Sequence, residues 1–491
     1  MEERREEPKF DPIELRENTV AVARWNRKQF EVPDLIHFAD YEASSAAVAE
    51  DLQTYPAAAE EPGLLLPFPY PKSSSSLRWL SVAGPEELIV LRTAAGHVVR
   101  STDPLLSPRV HSNRLDRRYR CWRFRDYKKA WSRFITRGLS LLDGRRHSAM
   151  YRTDVEDYYP SVEVERLQSL LQECGCLVPA AALILKVLQK WQLRDGLRGL
   201  PIGPEVSAVI GNFLLHPVDR SLEANGYAYL RWSDDILTFG RTVESCQGSM
   251  VLLDEVLSNL RLARSVKKTR GFDNVYDARD NLRDHWLTSL TDFLRLGDDV
   301  GSEAVHRAYD SEIRGHPEVE RHRFRWVLRV LKNKHDPYGC LSLSRDPSLM
   351  NIDPQLSGQY LAEAGLNDTR VADAMMDRLS KQAEDLFDGL DLHLLDAMRC
   401  RRFGDAEAKE FRSIATDSSR RWPVRVYGWA AYVRSTQHYP ELMDAARAET
   451  IPQLRRGMIA NLKGRSRQSF LNHARANFPE SRYMAQWVEA A

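Results

Sequence analysis

The sequence predicts an α/β unit followed by an all-α tail, and three observations point to it. Strand-like and helix-like segments alternate between residues 150 and 270, as they do in an α/β unit. Beyond about residue 275 the strand signal fades and helical periodicity takes over. The 491 residues, 43% hydrophobic and 28% charged, suit a soluble globular chain of two to four domains.

The totals also exclude some classes. A net charge of +1 gives no global field toward nucleic acid, so any basic surface must be local. The six cysteines are scattered, with only Cys174 and Cys176 close together. No paired Cys/His spacing is present, which fits reduced cytosolic thiols and gives no reason to expect zinc. The opening "MEERREEPKF" lacks the apolar core of a signal peptide, and no apolar run approaches the ~20 residues that span a bilayer. A cytoplasmic protein with no membrane partner is expected.

Residues 1–72 read as an N-terminal extension ending in "AAAEEPGLLLPFPYPKSSSS", whose proline and serine content suggests a linker. Residues 77–100, "LRWLSVAGPEELIVLRTAAGHVVR", show short runs broken by Gly-Pro and Ala-Gly-His and predict a hairpin or small sheet. The stretch 114–134 holds nine Arg or Lys against two Asp, with six aromatics interleaved. It reads either as a solvated helix face or as a phosphate-tracking surface with stacking rings.

Next, "MYRTDV" predicts a strand. "SVEVERLQSLLQECG" predicts a helix with Ser161 as N-cap, Gly175 past its end, and Val164, Leu167 and Leu171 as its apolar stripe. "PEVSAVIGNFLL" predicts a second helix, crowded with small residues. In "GYAYLRWSDDILTFG" (226–240), Tyr227, Tyr229 and Arg231 alternate with Leu230 and Trp232, and a strand pattern restarts at Ile236. Asp234 and Asp235 therefore fall at a tight turn of a hairpin. In the tail, "FRWVLRVL" places Phe324, Val327, Leu328 and Leu331 on one helical face. "VADAMMDRL", "WPVRVYGWAAYV" and "IPQLRRGMIANL" continue the rhythm. Stacked helix pairs, or an irregular bundle, are both compatible.

Two adjacent like charges beside a sheet are costly unless a cation neutralises them or the tip is simply solvated. The pair Asp298-Asp299 in "LRLGDDVGS", expected before a turn, is assigned no role. Asp154, by contrast, ends the strand "MYRTDV". Carboxylates from two strand ends of one sheet can converge on two Mg²⁺ ions about 3.5–4 Å apart, a geometry suited to nucleotidyl transfer.

The succession "TDVEDYYPSV", "GLPIGPEVSAVIGNFLL", "RWSDDILTF" and "VKKT" resembles the palm of a reverse transcriptase, with four blocks in their usual order. The resemblance is strong over 150–270 and weaker over 77–149. It implies a right-hand polymerase with fingers over 73–149 and a palm with a ferredoxin-like sheet over 150–275. An all-α helical-repeat (HEAT-like) C-terminal domain would follow over 276–491. By position it implies Asp154, Asp234 and Asp235 as catalytic, metal-binding acids, with the Val155 carbonyl as a further ligand for Mg²⁺ or Mn²⁺. Tyr159 would sit under the incoming sugar and select deoxynucleotides. Gly199, Pro201, Gly203 and Ser207 would line the nucleotide and template site. Lys268, next to Lys267, would serve as general acid at the leaving pyrophosphate, and Arg78 and Arg92 would clamp the triphosphate. The sequence departs from the family at Ile202, where many members have glutamine, and at Trp232, where many have tyrosine.

A palm fused to a helical tail, with no endonuclease or RNase H signature, is similar to phage-defence (abortive-infection) reverse transcriptases. That implies dNTPs as substrates, DNA as product and a homo-oligomer, trimeric or hexameric. Synthesis without a template, primed by a protein tyrosine such as Tyr41, Tyr55, Tyr427, Tyr432 or Tyr439, is one reading. Templated copying of a dedicated non-coding RNA is another. A non-enzymatic helical scaffold that binds nucleic acid or protein is the third.

Overall fold

The computed structural model describes residues 8–29, 31–55, 61–73, 76–143, 146–283, 294, 298–314, 319–381, 388–462 and 468–490. Among them are six strands: β1 (Leu66–Ser73), β2 (Ser76–Val82), β3 (Ala149–Thr153), β4 (Ala228–Trp232), β5 (Asp235–Gly240) and β6 (Arg270–Phe272). The chain forms two compact units whose segments interleave. One comprises residues 1–22, 45–66 and 83–285, and the other 23–44, 67–82 and 286–491. The N-terminal 72 residues are thus shared between the units rather than standing as an extension.

The first unit is built on an antiparallel sheet in the order β4-β5-β3-β6. β3 lies inside it, paired with β5 from Ala149↔Gly240 to Thr153↔Ile236. On one face, Met150, Leu230, Leu237 and Phe239 pack against Phe134, Leu142, Ala278 and Leu282. These come from the helices Tyr127–Leu141 and Val275–Leu282 and the residue capping the first. On the other face, Ser249 of the Val243–Asn259 helix donates to the hydroxyl of Thr238 at 3.0 Å. Strand alternation sorts the hairpin residues between the two faces, as the sequence pattern predicts.

Two local expectations are corrected here. Residues 85–102 form a helix rather than a small sheet. Pro85 occupies its first turn with Glu86 and Glu87, a favourable N-terminal set. Gly96, which read as a turn, sits mid-helix because the Trp122 ring lies against it: a Cβ there would come within 2.2 Å of the indole. Ser161 is not the predicted N-cap. It ends the short helix Tyr158–Ser161, and the next helix, Val164–Glu173, begins after Glu163 without a side-chain cap. Gly175 does follow that helix, at φ +65.

Among its described residues the second unit's regular structure is helical apart from the β1–β2 hairpin. The expected linker is therefore partly strand: Phe68 and Tyr70 of β1 are buried, and Pro67, Pro69 and Pro71 recur at the strand period. Among the described residues β1 pairs only with β2, and an edge strand tolerates residues that lack an N–H. In the Arg321–Asn333 helix the stripe Phe324, Val327, Leu328 and Leu331 is fully buried, each side chain contributing about 1.5–3 kcal/mol. The helices Thr369–Ser380, Trp422–Thr436 and Pro452–Ala460 stand where the periodicity predicts them. Asp298 and Asp299 open the helix Asp298–Glu312 instead of preceding a turn. No helix among the described residues is long and apolar enough to cross a membrane.

Candidate active site

The site forms where β3 and β5 end side by side. Asp154 follows Thr153, whose partner across the ladder is Ile236, and Asp235 precedes Ile236. The antiparallel register therefore brings these two acids to neighbouring strand ends. Trp232 pairs with Asp235 and closes a two-residue loop, Ser233-Asp234. Ser233 sits at φ +57, in the left-handed region.

A buried polar network fixes that loop. Arg231, fully buried, forms a two-pronged ion pair with Asp219 at 2.9 and 2.5 Å. The same guanidinium donates to Asn212 Oδ1 at 2.9 Å and to the Ser233 carbonyl at 2.9 Å. The Ser233 N–H donates to Ser112 Oγ at 2.6 Å. Both backbone groups of the loop's first residue thus have fixed partners, one charged. The sequence placed Arg231 on the correct face of β4 but did not reveal this role, nor the roles of Asp219 and Ser112. The one available signal was a lone arginine inside a strand flanked by apolar residues.

Asp154 is buried. One of its carboxylate oxygens accepts from the Lys268 ammonium, while Oδ1 is buried with no hydrogen-bond partner among the described residues. Its carbonyl accepts from Ser265 N–H at 2.8 Å. The Thr153 and Thr269 hydroxyls meet at 2.7 Å, and Arg264 donates to Thr269 at 2.9 Å. The segment carrying Lys268 is thereby tied to β3. Val155, also buried, bridges to Arg264 on the same segment. Lys267 is exposed.

The charges strain against one another. Asp234 is held above the usual carboxylate range, first by burial and then by Asp154, against the pull of Lys268. Asp235 is pushed up to about 6 by burial and by Asp234 and Asp154, although Arg152 opposes the shift from 3.9 Å. It keeps 42% of its side-chain surface open. For Lys268, burial favours the neutral form, but the hydrogen bond and charge of Asp154, with Asp234 and Asp235, outweigh it and raise its pKa.

The remaining expected residues divide between the acids and other parts of the fold. Tyr159 stands beside the acids: burial and then the charge of Asp234 push its hydroxyl up to about 12, against a hydrogen bond with Ser233. Its ring stacks on Tyr158 at 5.4 Å. Gly199, at φ +63, lets the backbone pass so close to the Tyr159 carbonyl that a Cβ would lie 2.0 Å from it. Its close approach is thus to the chain's own backbone. Ser207 is buried, with its hydroxyl on the Pro201 carbonyl at 2.6 Å, where it shapes the loop that contains Gly203 (φ +129).

Arg92 is buried, paired with Glu205, and lies over the Trp122 ring at 4.3 Å. Arg78 belongs to the second unit, where it pairs with Glu31. Both guanidiniums are thus committed to carboxylates of the chain itself. Of the tyrosines considered as primers, Tyr41, Tyr55, Tyr427 and Tyr432 are buried and Tyr439 is half-buried.

The donor set fits a hard divalent cation in kind: carboxylate oxygens without thiol or imidazole, one of them a buried oxygen with no partner. Among the described residues, however, no group of three or more His, Cys, Asp or Glu is drawn together closely enough to hold a metal. The Lys268 ammonium supplies positive charge to Asp154 instead.

A small antiparallel sheet with Asp154 and Asp235 at neighbouring strand ends is compatible with a polymerase-like fold. No protein-family model matches the chain. A stretch of 154 residues is 28% identical to the retron Mx65 reverse transcriptase of Myxococcus xanthus, covering 28% of this chain and 36% of that protein. The matched stretch thus spans about a third of the length of this curated relative. The similarity supports a relationship to bacterial reverse transcriptases.

Proposed function

We propose that the chain synthesises DNA from deoxynucleoside triphosphates, with Asp154, Asp234 and Asp235 as the acids of the reaction. The observation that carries this reading is the register that sets Asp154 and Asp235 at neighbouring strand ends, with Asp234 in the adjoining loop and Lys268 paired to Asp154. Acids shifted by burial and by one another are found at functional sites as well as in structural ion-pair networks, and here they stand at strand ends beside a lysine.

Once drawn closer together, with Asp154 released from Lys268, the three carboxylates and the Val155 carbonyl are the groups that would hold Mg²⁺ or Mn²⁺. When bound, the metal supplies positive charge to the attacking hydroxyl and the leaving pyrophosphate. Lys268 would then release Asp154 and offer its proton to the departing pyrophosphate oxygen. Its raised pKa keeps that proton in place at neutral pH. Tyr159, packed beside Asp234, would present its ring edge to the sugar and exclude a 2′-hydroxyl. The loop carrying Gly203, braced by Ser207, would border the base.

The antiphage role, the homo-oligomer and a HEAT-like arrangement of the tail belong to this proposal through resemblance to the defence group. Between untemplated and templated synthesis, one observation favours the second: four of the five candidate priming tyrosines are buried. Copying a dedicated RNA therefore stands as the principal alternative. Purified chain incubated with Mg²⁺ and labelled dNTPs tests these readings. Label retained on protein without added nucleic acid supports protein priming, and product only with added or co-purified RNA supports templated copying. No product in any arm leaves the non-enzymatic scaffold.

A further inference from the structure

Outside the acids, the first unit contains a cleft of about 640 Å³ lined by Arg109, His111, Arg133, Thr136, Arg137 and Ser140, among others. Arg133 and Arg137 lie one turn apart on the Tyr127–Leu141 helix, which carries Lys128 and Lys129 as well and no acidic residue. Both arginines are exposed; the Arg137 carbonyl accepts from the Ser140 hydroxyl at 2.8 Å, but neither guanidinium meets a hydrogen-bond or ion-pair partner among the described residues. Arg109 is anchored, donating to the Tyr227 carbonyl at 2.7 Å and lying over the Tyr229 ring at 5.2 Å. Burial and the charges of Arg114, Arg125, Arg137 and Arg133 hold His111 below its usual pKa. The cleft thus gathers positive charge, and among the described residues no carboxylate pairs with the Arg133 or Arg137 guanidinium.

The same helix connects this cleft to the acids. Tyr127 and Trp131, respectively 66% and 36% exposed, meet Trp232 edge-on at 5.3 and 4.9 Å. Trp232 immediately precedes the Ser233-Asp234 loop. From Trp131 to Arg137 the helix rises about 9 Å. Partly exposed rings followed by unpaired guanidiniums are the combination that holds a single strand, bases on rings and phosphates on charges.

We propose that this strip and cleft bind the sugar-phosphate backbone of a single-stranded nucleic acid beside the acids. The proposal rests on the DNA-synthesis reading and names where its nucleic acid lies. Binding is measured without metal or dNTPs, by anisotropy of short fluorescein-labelled oligothymidylate and oligouridylate over a salt series. The variant R133Q/R137Q should bind about tenfold more weakly, with its salt slope reduced by ~1.4, as two phosphate contacts predict for single strands. The equally charge-reduced R402Q/R434Q should bind like wild type.

Equal affinity and slope for R133Q/R137Q and wild type would overturn the assignment. So would displacement of the oligonucleotide by an equal concentration of inorganic phosphate, which would mark a simple anion pocket. A preference between the two oligonucleotides would assign the strand as DNA or RNA. Both arginines are exposed, so an unchanged thermal midpoint should accompany the loss. Because no synthesis is measured, strand binding in a chain that makes no DNA would sink the enzymatic reading and leave this one standing.

Discussion

At the end of β5, the Asp235 carboxyl titrates near 6 against an ordinary 3.8, because burial and two neighbouring acids disfavour its charge. Between those values the folded chain holds a proton that the unfolded chain has lost. Stability attributable to this group therefore falls as pH rises from about 4 to about 6, the reverse of a salt-bridged carboxylate. Asp235→Asn should flatten that part of the stability profile and raise the thermal midpoint above pH 6. The side chain is two-fifths exposed and solvent screens it, so a rise of about 1–2 °C is expected. A cation needs the deprotonated carboxylate, so stabilisation of the wild type by Mg²⁺ should fade below pH 6 and be much smaller in the variant. Thermal unfolding across pH, with and without Mg²⁺, checks both effects. Identical profiles for the two proteins would remove Asp235 from the site.

The β4–β5 hairpin depends on Arg231 more than on its turn residues. Arg231→Met would leave Asp219 buried without its partner and the Ser233 carbonyl without its donor. Breaking one side of a buried pair costs about 3–5 kcal/mol. A denaturant titration should show that loss in the first unit, and DNA synthesis should fall with it. A loss below about 1 kcal/mol would mean that the turn holds itself. The hairpin was legible in the sequence because strand alternation stops and restarts around the acids. Its brace was not, since an arginine in a strand looks the same whether it faces water or a carboxylate twelve residues away. The same blindness affected Arg92 and Arg78, whose partners Glu205 and Glu31 are remote in sequence. Residues 85–102 misled for a different reason. Gly96 makes room for an indole from another segment, and a single glycine cannot announce whether it serves a turn or a close approach.

In the molecule as a whole, the two units interleave along the chain, so a linear division at residues 72, 149 and 275 missed how its N-terminal segments are shared. No local pattern records that the strands at 66–82 pack with helices beyond residue 286, because burial depends on partners far along the chain. The helical tail and the acids at the sheet's strand ends were legible, since each is a local regularity repeated at a fixed period or turn. The central claim joins these parts: carboxylates from separate strands act together on a nucleoside triphosphate. Asp234→Asn tests it most directly, because it removes one charge and keeps the side chain's shape. With Mg²⁺, labelled dNTPs and the nucleic acid that supports wild-type synthesis, incorporation by the variant should fall by ~10³-fold or more, with no loss of thermal stability. Incorporation at the wild-type rate by a folded Asp234→Asn protein would contradict the account.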